Sequence, residues 1–252
     1  MSSPPRPRAT TSQRNAVWSS LCRAQIPALE RGLCRDFVDG AARAGLDPTR
    51  APRLAQLSAR LHNTCGWRIE LVDGLIPAAE VFALLRERRF PAPDWLRHPN
   101  DLEYTPEPDM FHDVFGHVPQ LAAPRIAACI DAIADRAAPR HDGQDDERVV
   151  AAERLYWFTI EFGLVREGDT IRAWGAGLAS SIAELDRALH APDVTRSPFD
   201  ADLAVSTPFT FDEQQTSYAV ASSIETATAS IAETAHALTF TPPRRRSSCT
   251  TS

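Results

Sequence analysis

The chain has 252 residues, of which 27 are basic and 33 acidic, and its formal net charge is −6. Every basic residue is arginine, which excludes mechanisms built on a catalytic lysine: Schiff-base and pyridoxal phosphate chemistry, P-loop nucleotide hydrolysis and kinase-type phosphoryl transfer. The negative charge argues against a nucleic-acid or anionic-membrane surface, and no apolar run reaches the roughly 20 residues that span a bilayer.

Both ends of the chain have the composition of disordered tails. Residues 1–13 and 241–252 are rich in Pro, Ser, Thr and Arg. We expect one domain over residues 14–240, because no repeat or linker interrupts them. The N-terminus lacks the apolar stretch of a signal peptide, and the five cysteines form no C-x-x-C pair, so we expect a cytoplasmic protein with reduced thiols.

Helical periodicity dominates the first third of the chain. An apolar stripe over residues 17–33 predicts a helix that is interrupted near Pro27. Leu54, Leu57 and Leu61 recur at helical intervals and predict a second helix.

A short strand is predicted next, because residues 67–72 alternate between apolar and polar side chains before Asp73 and Gly74. Pro77 suits the first turn of the following helix. Further helices are predicted over residues 121–137, 146–165, 178–190 and 214–237. The expected fold class is therefore mainly α with a few short β-strands, in a single domain.

One segment has a composition suited to chemistry, with His112 and His117 between Pro108 and Pro119. Five residues of ideal α-helix turn the second side chain about 140° away from the first. We therefore expect Gly116 to break the helix and swing His117 back toward His112. From spacing alone, such a pair is more often a helix cap and a hydrogen-bonded core histidine.

A carboxylate in an apolar stretch favours a metal site over the interpretation of the two histidines as a helix cap and a core residue. Glu161 lies within residues 155–164, the most apolar stretch of the chain, so its carboxylate must be paired, protonated or bound to a metal. Two histidines and one carboxylate suit non-haem Fe(II) and O₂. A zinc protease would instead show H-E-x-x-H, with histidines four residues apart. The β-sandwich iron oxygenases would show H-x-D, which does not occur in this sequence.

The chain resembles the pterin-dependent aromatic amino acid hydroxylases, and it is most similar to the catalytic domain of the bacterial members, which act on phenylalanine. The likeness extends from about Trp18 to about Ile224, so residues 14–240 would form an aromatic amino acid hydroxylase-like catalytic domain. It rests on three ordered motifs: YTPEPD at 104–109 running into HDVFGHVP at 112–119, YWFTIEFGL at 156–164, and WGAGLASS at 174–181.

The resemblance implies that His112, His117 and Glu161 hold Fe(II) and form the catalytic centre. Arg97 would bind the substrate carboxylate with its planar fork, and Asp109 would hold the guanidinium. The remaining substrate-side residues implied by the family are Thr105, Pro106, Trp157, Phe162, Gly177, Ser180 and Ser181. Of these, Ser180 and Ser181 would add hydrogen bonds near the substrate backbone and around the metal ligands.

A tetrahydropterin would lie beside the iron, near Gly74, Ile76 and the helix after Pro77. The family commonly stacks a phenylalanine on the pterin, but the simplest alignment places Val81 there, with Phe82 next to it. Either a one-residue slip brings Phe82 into place or the stacking is weaker. Asp113 would reach the pterin through water.

The activity implied is ring hydroxylation of a free aromatic L-amino acid with O₂ as co-substrate, with L-phenylalanine to L-tyrosine as the first choice. Hydroxylation of tyrosine or of a modified phenylalanine in secondary metabolism is the alternative, and so is a metal-binding homologue without activity. Trp157, where tryptophan-specific relatives tend to carry phenylalanine, argues against an indole substrate. We expect a monomeric protein with no nucleic-acid or membrane partner.

Overall fold

The computed structural model describes residues 10–100, 102, 107–139, 145–210 and 213–234. Its first helix begins at Thr11, inside the predicted N-terminal tail, because Thr10 and Gln13 form a capping box that satisfies two backbone donors at the helix start. The predicted C-terminal tail, residues 241–252, lies outside the described residues.

Helices make up most of the described chain, as the sequence predicts. The eleven α-helices in this part of the chain are α1 (Thr11–Gly32), α2 (Arg35–Ala44), α3 (Leu54–Cys65), α4 (Ala78–Arg86), α5 (Val118–Leu121), α6 (Pro124–Arg136), α7 (Asp145–Tyr156), α8 (Ala176–Ser180), α9 (Ile182–His190), α10 (Ala201–Ser206) and α11 (Ile224–Glu233). Two π-helical segments, His112–His117 and Trp157–Glu161, directly precede α5 and directly follow α7, respectively.

The predicted interruption near Pro27 is wrong, since α1 runs through this proline. A proline inside a helix costs about 3 kcal/mol, because it removes one hydrogen bond and crowds the preceding turn. α1 buries Val17, Trp18 and Leu21 before the proline and Leu29 after it. Burial of large apolar side chains, at about 1.5–3 kcal/mol each, offsets that cost.

The strands form two small sheets. β1 (Arg68–Leu71) pairs in parallel with β2 (Arg89–Ala92), with Arg68 opposite Arg89. The second sheet has the order β4 (Thr170–Ala173), β3 (Leu164–Glu167), β6 (Ser217–Ala221), β5 (Thr195–Pro198). Its β3–β4 pair is antiparallel, whereas β6 is parallel to both β3 and β5.

Two predicted helices are therefore wrong in part. The helix predicted over residues 146–165 ends as a π-helical segment at Glu161 and gives way to β3, and the one predicted over 214–237 contains β6 before α11. β6 buries Tyr218 and Val220 and pairs with strands far away in sequence. Local periodicity does not contain this long-range pairing, which decides the structure of such short segments.

The segment from Met110 to Leu121 runs through the core. Every residue in it is buried except His112, which is half-buried. The π-helical segment packs against α8, and α5 packs against α2, so the surroundings of this segment come from parts of the chain that precede it and parts that follow it. None of the described helices is long and apolar enough to cross a bilayer.

Candidate metal centre

The two histidines lie on the same π-helical segment, His112–His117, and their ring centroids are 5.1 Å apart. The predicted helix break at Gly116 is wrong, because the chain continues directly from the π-helical segment into α5. In a π-helix the backbone bonds span five residues instead of four, so each turn takes in an extra residue. The wider turn brings a side chain five positions along back to the same face, and this replaces the expected break.

Gly116 serves a different purpose from the one expected. A Cβ at this position would lie 2.8 Å from the carbonyl oxygen of Ala176 and 3.1 Å from its Cβ. Gly116 therefore lets α8 approach the backbone of the histidine-bearing segment more closely than any side chain would allow.

Glu161 is brought to the histidines by the second π-helical segment, Trp157–Glu161. Its carboxylate oxygens lie 3.1 Å from Nε2 of His117 and 3.6 Å from Nε2 of His112. The three side chains are 2–18% exposed. Two imidazole nitrogens and a carboxylate therefore meet at one partly enclosed point, and this donor set fits non-haem Fe(II) with coordination positions left open.

Hydrogen bonds orient the Nε2 atoms of both histidines toward that point. The Ser180 hydroxyl donates to the carbonyl of Ala176 at 2.9 Å, so its oxygen accepts from Nδ1 of His112 at 2.8 Å. Nδ1 of His117 lies 2.9 Å from Oε1 of Gln120 and 3.3 Å from the hydroxyl of Tyr156. With Nδ1 engaged in this way, Nε2 of each ring faces Glu161 and is the nitrogen available to a metal once it carries no proton.

The pKa values of the two histidines are shifted in opposite directions. Burial lowers the pKa of His112 to about 4, which the Glu161 carboxylate only partly opposes. Burial also lowers the pKa of His117, but Glu161, Asp113 and the hydrogen bond to Gln120 outweigh it and raise the pKa above its usual value. Burial tends to raise the pKa of Glu161, yet the two histidines and the Gly177 N–H hold it below the usual range. Glu161 is thus the anion of the centre.

Asp113 is the second carboxylate near the histidines. His112, Asp113 and His117 offer ligand atoms within 4.8 Å of one another, and Oδ1 of Asp113 lies 4.0 Å from Nε2 of His112. Burial raises the pKa of Asp113 to about 8, although the nearby His117 acts in the opposite direction. Glu161 is closer to both histidines and carries the negative charge, so it is the better third ligand.

Arg97 and Asp109 form a buried ion pair beside this centre. Nε and one Nη of Arg97 donate to the two Asp109 oxygens at 2.9 and 2.8 Å, and the side chains are 8% and 0% exposed. Asp109 also accepts from the backbone N–H of His112 at 3.1 Å. Together with a bond to the Leu102 carbonyl, the contacts within the described residues use three of the five guanidinium N–H groups.

The predicted ring-pocket residues lie in an aromatic cluster. Trp157 stacks on Phe209 with centroids 4.4 Å apart, and it contacts Phe162 at 4.6 Å. Gly177 faces the Phe162 ring, which a Cβ would approach to 3.0 Å. Ser181, in contrast, caps α9 by accepting from the Glu184 N–H. The predicted residues Thr105 and Pro106 lie outside the described residues.

The residues predicted to bind the pterin differ in how far they are exposed to solvent. Gly74, Ile76 and Val81 are half-buried, on the connection between β1 and α4 and on α4 itself. Phe82 is only 3% exposed, and its ring packs edge-on against Tyr156 at a centroid distance of 6.2 Å. Because its ring is enclosed, Phe82 has no open face on which a planar ligand could stack.

Sequence reasoning missed Gln120, Tyr156 and Phe209. Gln120 lies three residues after His117, a helical interval that allows contact, and this spacing was the available signal. Phe209 reaches Trp157 from a loop beyond β5 and α10, so no local pattern connects the two residues.

Comparisons with known proteins agree with this geometry. Residues 10–242 match the family of biopterin-dependent aromatic amino acid hydroxylases. A phenylalanine-4-hydroxylase from Mesorhizobium japonicum is 39% identical over 216 residues, which cover 85% of this chain and 77% of the relative.

Solved structures give the same result. Phenylalanine hydroxylase from Chromobacterium violaceum with iron(III) and 7,8-dihydrobiopterin has a TM-score of 0.82 at 33% identity, covering 90% of this chain and 81% of that one. The cobalt-bound form of the C. violaceum enzyme has a TM-score of 0.80 at 34% identity, covering 88% and 79%. The resemblance and the fold class predicted from sequence are thereby confirmed, and the chain belongs to the family of biopterin-dependent aromatic amino acid hydroxylases.

Proposed function

We propose that this protein is an iron- and tetrahydropterin-dependent monooxygenase that converts L-phenylalanine to L-tyrosine with O₂. The observation that carries the proposal is the convergence of His112, His117 and Glu161, from two π-helical segments, at one point beside a buried arginine. The bacterial relatives named phenylalanine-4-hydroxylase support the reaction and the substrate.

His112, His117 and Glu161 are the proposed iron ligands. Iron and tetrahydropterin, when bound, supply the activation of O₂ and the two electrons that it requires. The protein would contribute two imidazoles and one carboxylate to the iron, a donor set that suits non-haem Fe(II) and O₂. Ser180 holds the ring of His112 in orientation through Nδ1.

Arg97 is the proposed carboxylate-binding residue of the substrate site. Asp109 fixes its guanidinium from one side and also binds the backbone N–H of His112. The arginine and the first iron ligand are therefore held at a set distance, which positions the amino acid ring relative to the metal. Trp157, Phe162 and Gly177 form the proposed wall of the ring pocket.

We also propose substrate contacts for Thr105, Pro106 and Ser181, because they lie in motifs that this chain shares with the family. For Ser181 the present hydrogen bond is a helix cap, so its contribution to the substrate would be indirect, through the position of α9. The alternatives of a tyrosine or modified-phenylalanine hydroxylase share all these residues and differ only in what the ring pocket accepts.

The pterin is proposed to bind along Gly74, Ile76 and Val81, with Asp113 as its polar partner. Asp113 fits this role because it is a buried carboxyl group beside His112 and His117, and burial raises its pKa to about 8 in the metal-free protein. Phe82 lies in the interior, next to Val81 in the sequence, and its ring packs against the ring of Tyr156. We accordingly expect weaker pterin stacking, on Val81 instead of an aromatic ring.

At the level of the whole protein we propose a single catalytic domain that begins with α1 at Thr11 and extends to about residue 240, monomeric, in the cytoplasm. Its proposed partners are small molecules, with no nucleic acid and no membrane. The acidic net charge supports the lack of a nucleic-acid surface.

Anaerobic loading with Fe(II), followed by O₂ and a tetrahydropterin, tests the proposal. We expect pterin oxidation that depends on L-phenylalanine and yields L-tyrosine in equal amount. His112→Ala and Glu161→Ala should each abolish this turnover while leaving the circular dichroism spectrum close to that of the wild type.

Product analysis with phenylalanine, tyrosine and tryptophan separates the alternatives. A preference for tyrosine would replace the proposed substrate but keep the reaction class. Bound iron without amino acid-dependent turnover on any of the three would contradict the hydroxylase proposal and favour the non-catalytic homologue.

A further inference from the structure

Gln120 is a fully buried amide beside the proposed metal centre. It lies on α5, one helical turn after His117, and it is 0% exposed. Its Nε2 donates to two backbone carbonyls, those of Ile160 and Trp174, each at 2.8 Å. Its Oε1 lies 2.9 Å from Nδ1 of His117. All three distances lie in the usual range of protein hydrogen bonds.

The two carbonyls decide the orientation of the amide. Carbonyl oxygens accept only, so the NH₂ group must face Ile160 and Trp174, and Oε1 must face His117. Because Oε1 also accepts only, Nδ1 of His117 must be the donor. The neutral ring then carries its proton on Nδ1, and its Nε2 lone pair faces the carboxylate of Glu161, 3.1 Å away.

We propose that Gln120 is a positioning residue of the metal centre, which sets the tautomer and ring orientation of His117 and ties this histidine to the segment that carries Glu161. The inference rests on the proposed iron ligands. The second nitrogen of a ligating histidine commonly donates its N–H to a carboxylate, a backbone carbonyl or water. Here a side-chain amide takes that place.

The amide also connects three elements of the fold. Ile160 directly precedes Glu161 in the second π-helical segment, and Trp174 directly follows β4. One side chain therefore holds the first π-helical segment, the second and the end of a strand together. Loss of the amide leaves two buried carbonyls without this donor, which destabilises the fold independently of any metal.

Two variants of similar size separate these effects. Gln120→Met removes the acceptor for His117 and both donors. Gln120→Glu removes both donors but keeps an acceptor oxygen at the same reach. Both should lower the melting temperature of the metal-free protein. Only Gln120→Met should weaken Co(II) binding, by about 10–100-fold, and change the visible ligand-field spectrum of the bound Co(II).

Gln120→Glu should bind Co(II) with close to wild-type affinity, because its side-chain oxygen still accepts from Nδ1 of His117. Thr159→Val is the matched stability control. Its hydroxyl, in the second π-helical segment, donates to the Leu155 carbonyl and contacts neither histidine. This variant should lose stability while Co(II) affinity and spectrum stay unchanged.

Wild-type affinity and spectrum in Gln120→Met would overturn the inference, as would equal losses of affinity in the Met and Glu variants. Failure of the wild type to bind Co(II), or binding that survives His112→Ala, would instead count against the proposed metal centre. Should the variants not fold, histidine ¹⁵N NMR on the wild-type protein with Zn(II) decides the question. We expect an exchange-protected Nδ1 proton on His117, and its absence would equally overturn the inference.

Discussion

At the scale of single residues, the Arg97–Asp109 pair combines a structural and a functional role. Asp109 is fully buried and Arg97 nearly so, and the pair is bidentate. Removal of one partner from such a pair leaves a buried charge without compensation, which costs about 3–5 kcal/mol. Arg97 is therefore not a freely exchangeable contact of the substrate.

We expect Arg97→Ala to raise the KM for phenylalanine and also to destabilise the protein by about 3–5 kcal/mol, because Asp109 loses its counterion. Arg97→Lys keeps the charge but not the fork, so it should raise the KM with a smaller loss of stability. Steady-state kinetics and urea denaturation measure the two effects.

The control is Arg35→Ala, which removes an exposed i,i+4 pair with Asp39 and should cost no more than about 0.5 kcal/mol. An unchanged KM in both Arg97 variants would remove this residue from the proposed carboxylate site. Normal stability of Arg97→Ala would show that Asp109 does not depend on it.

At the scale of elements, the position of Glu161 depends on a close contact between backbones. A Cβ at Gly175 would lie 2.2 Å from the Glu161 carbonyl oxygen and 2.7 Å from the Phe162 nitrogen. These are backbone atoms, which cannot move aside as the end of a side chain can. The strand-to-helix connection before α8 thus sets where the second π-helical segment ends.

Gly175→Ala should consequently displace Glu161, lower stability by about 1–3 kcal/mol through overpacking and weaken Co(II) binding. Gly74→Ala is the comparison for stability, since a Cβ at Gly74 would meet no other atom within 4 Å; it should change stability by less than about 0.5 kcal/mol. Metal titration and thermal melts test this. Wild-type values for Gly175→Ala would mean that the backbones can separate without cost.

At the scale of the whole molecule, the proposed metal joins segments that are distant in the chain. Ligands from two π-helical segments come together only in the folded state, so a metal that binds them stabilises that state. At a free metal concentration 100 times the Kd the gain is about 2.7 kcal/mol. For a domain of this size that corresponds to a rise in Tm of about 5–10 °C.

The rise in Tm with metal should diminish as the pH falls. His112 has a pKa of about 4 and is neutral at pH 6–8, but the pKa of His117 is raised above its usual value, so a proton competes with the metal more strongly as the pH falls. The stability of the metal-free protein depends on pH in the opposite direction. Protonated His117 beside Glu161 stabilises the fold at pH values below the pKa of His117 in the unfolded state, and this contribution is lost as the pH rises through the pKa of His117 in the folded state.

Melting curves at pH 6 and pH 8, with Co(II) and with a chelator, test this dependence. We expect a larger metal-induced shift at pH 8, and none at either pH in Glu161→Ala. An equal shift at both values would show that His117 does not have to lose a proton when the metal binds.

Much of this protein is determined by its sequence alone. The absence of lysine, the apolar setting of Glu161 and the pair His112 and His117 are properties of residue type and spacing, and they specify the class of chemistry before any fold is known. The mainly helical fold class follows equally from repeated apolar positions, because amphipathic helices are encoded locally.

Only the tertiary structure decided how these residues meet. The wider π-helical turn, not a break at Gly116, aligns the two histidines, and the close packing of Ala176 against that glycine accompanies it. The pairing of β6 with β3 and β5 and the role of Gln120 depend on partners far along the sequence. Contacts of this kind are chosen by burial and by the need to satisfy buried polar groups, and a local pattern of residues does not contain them.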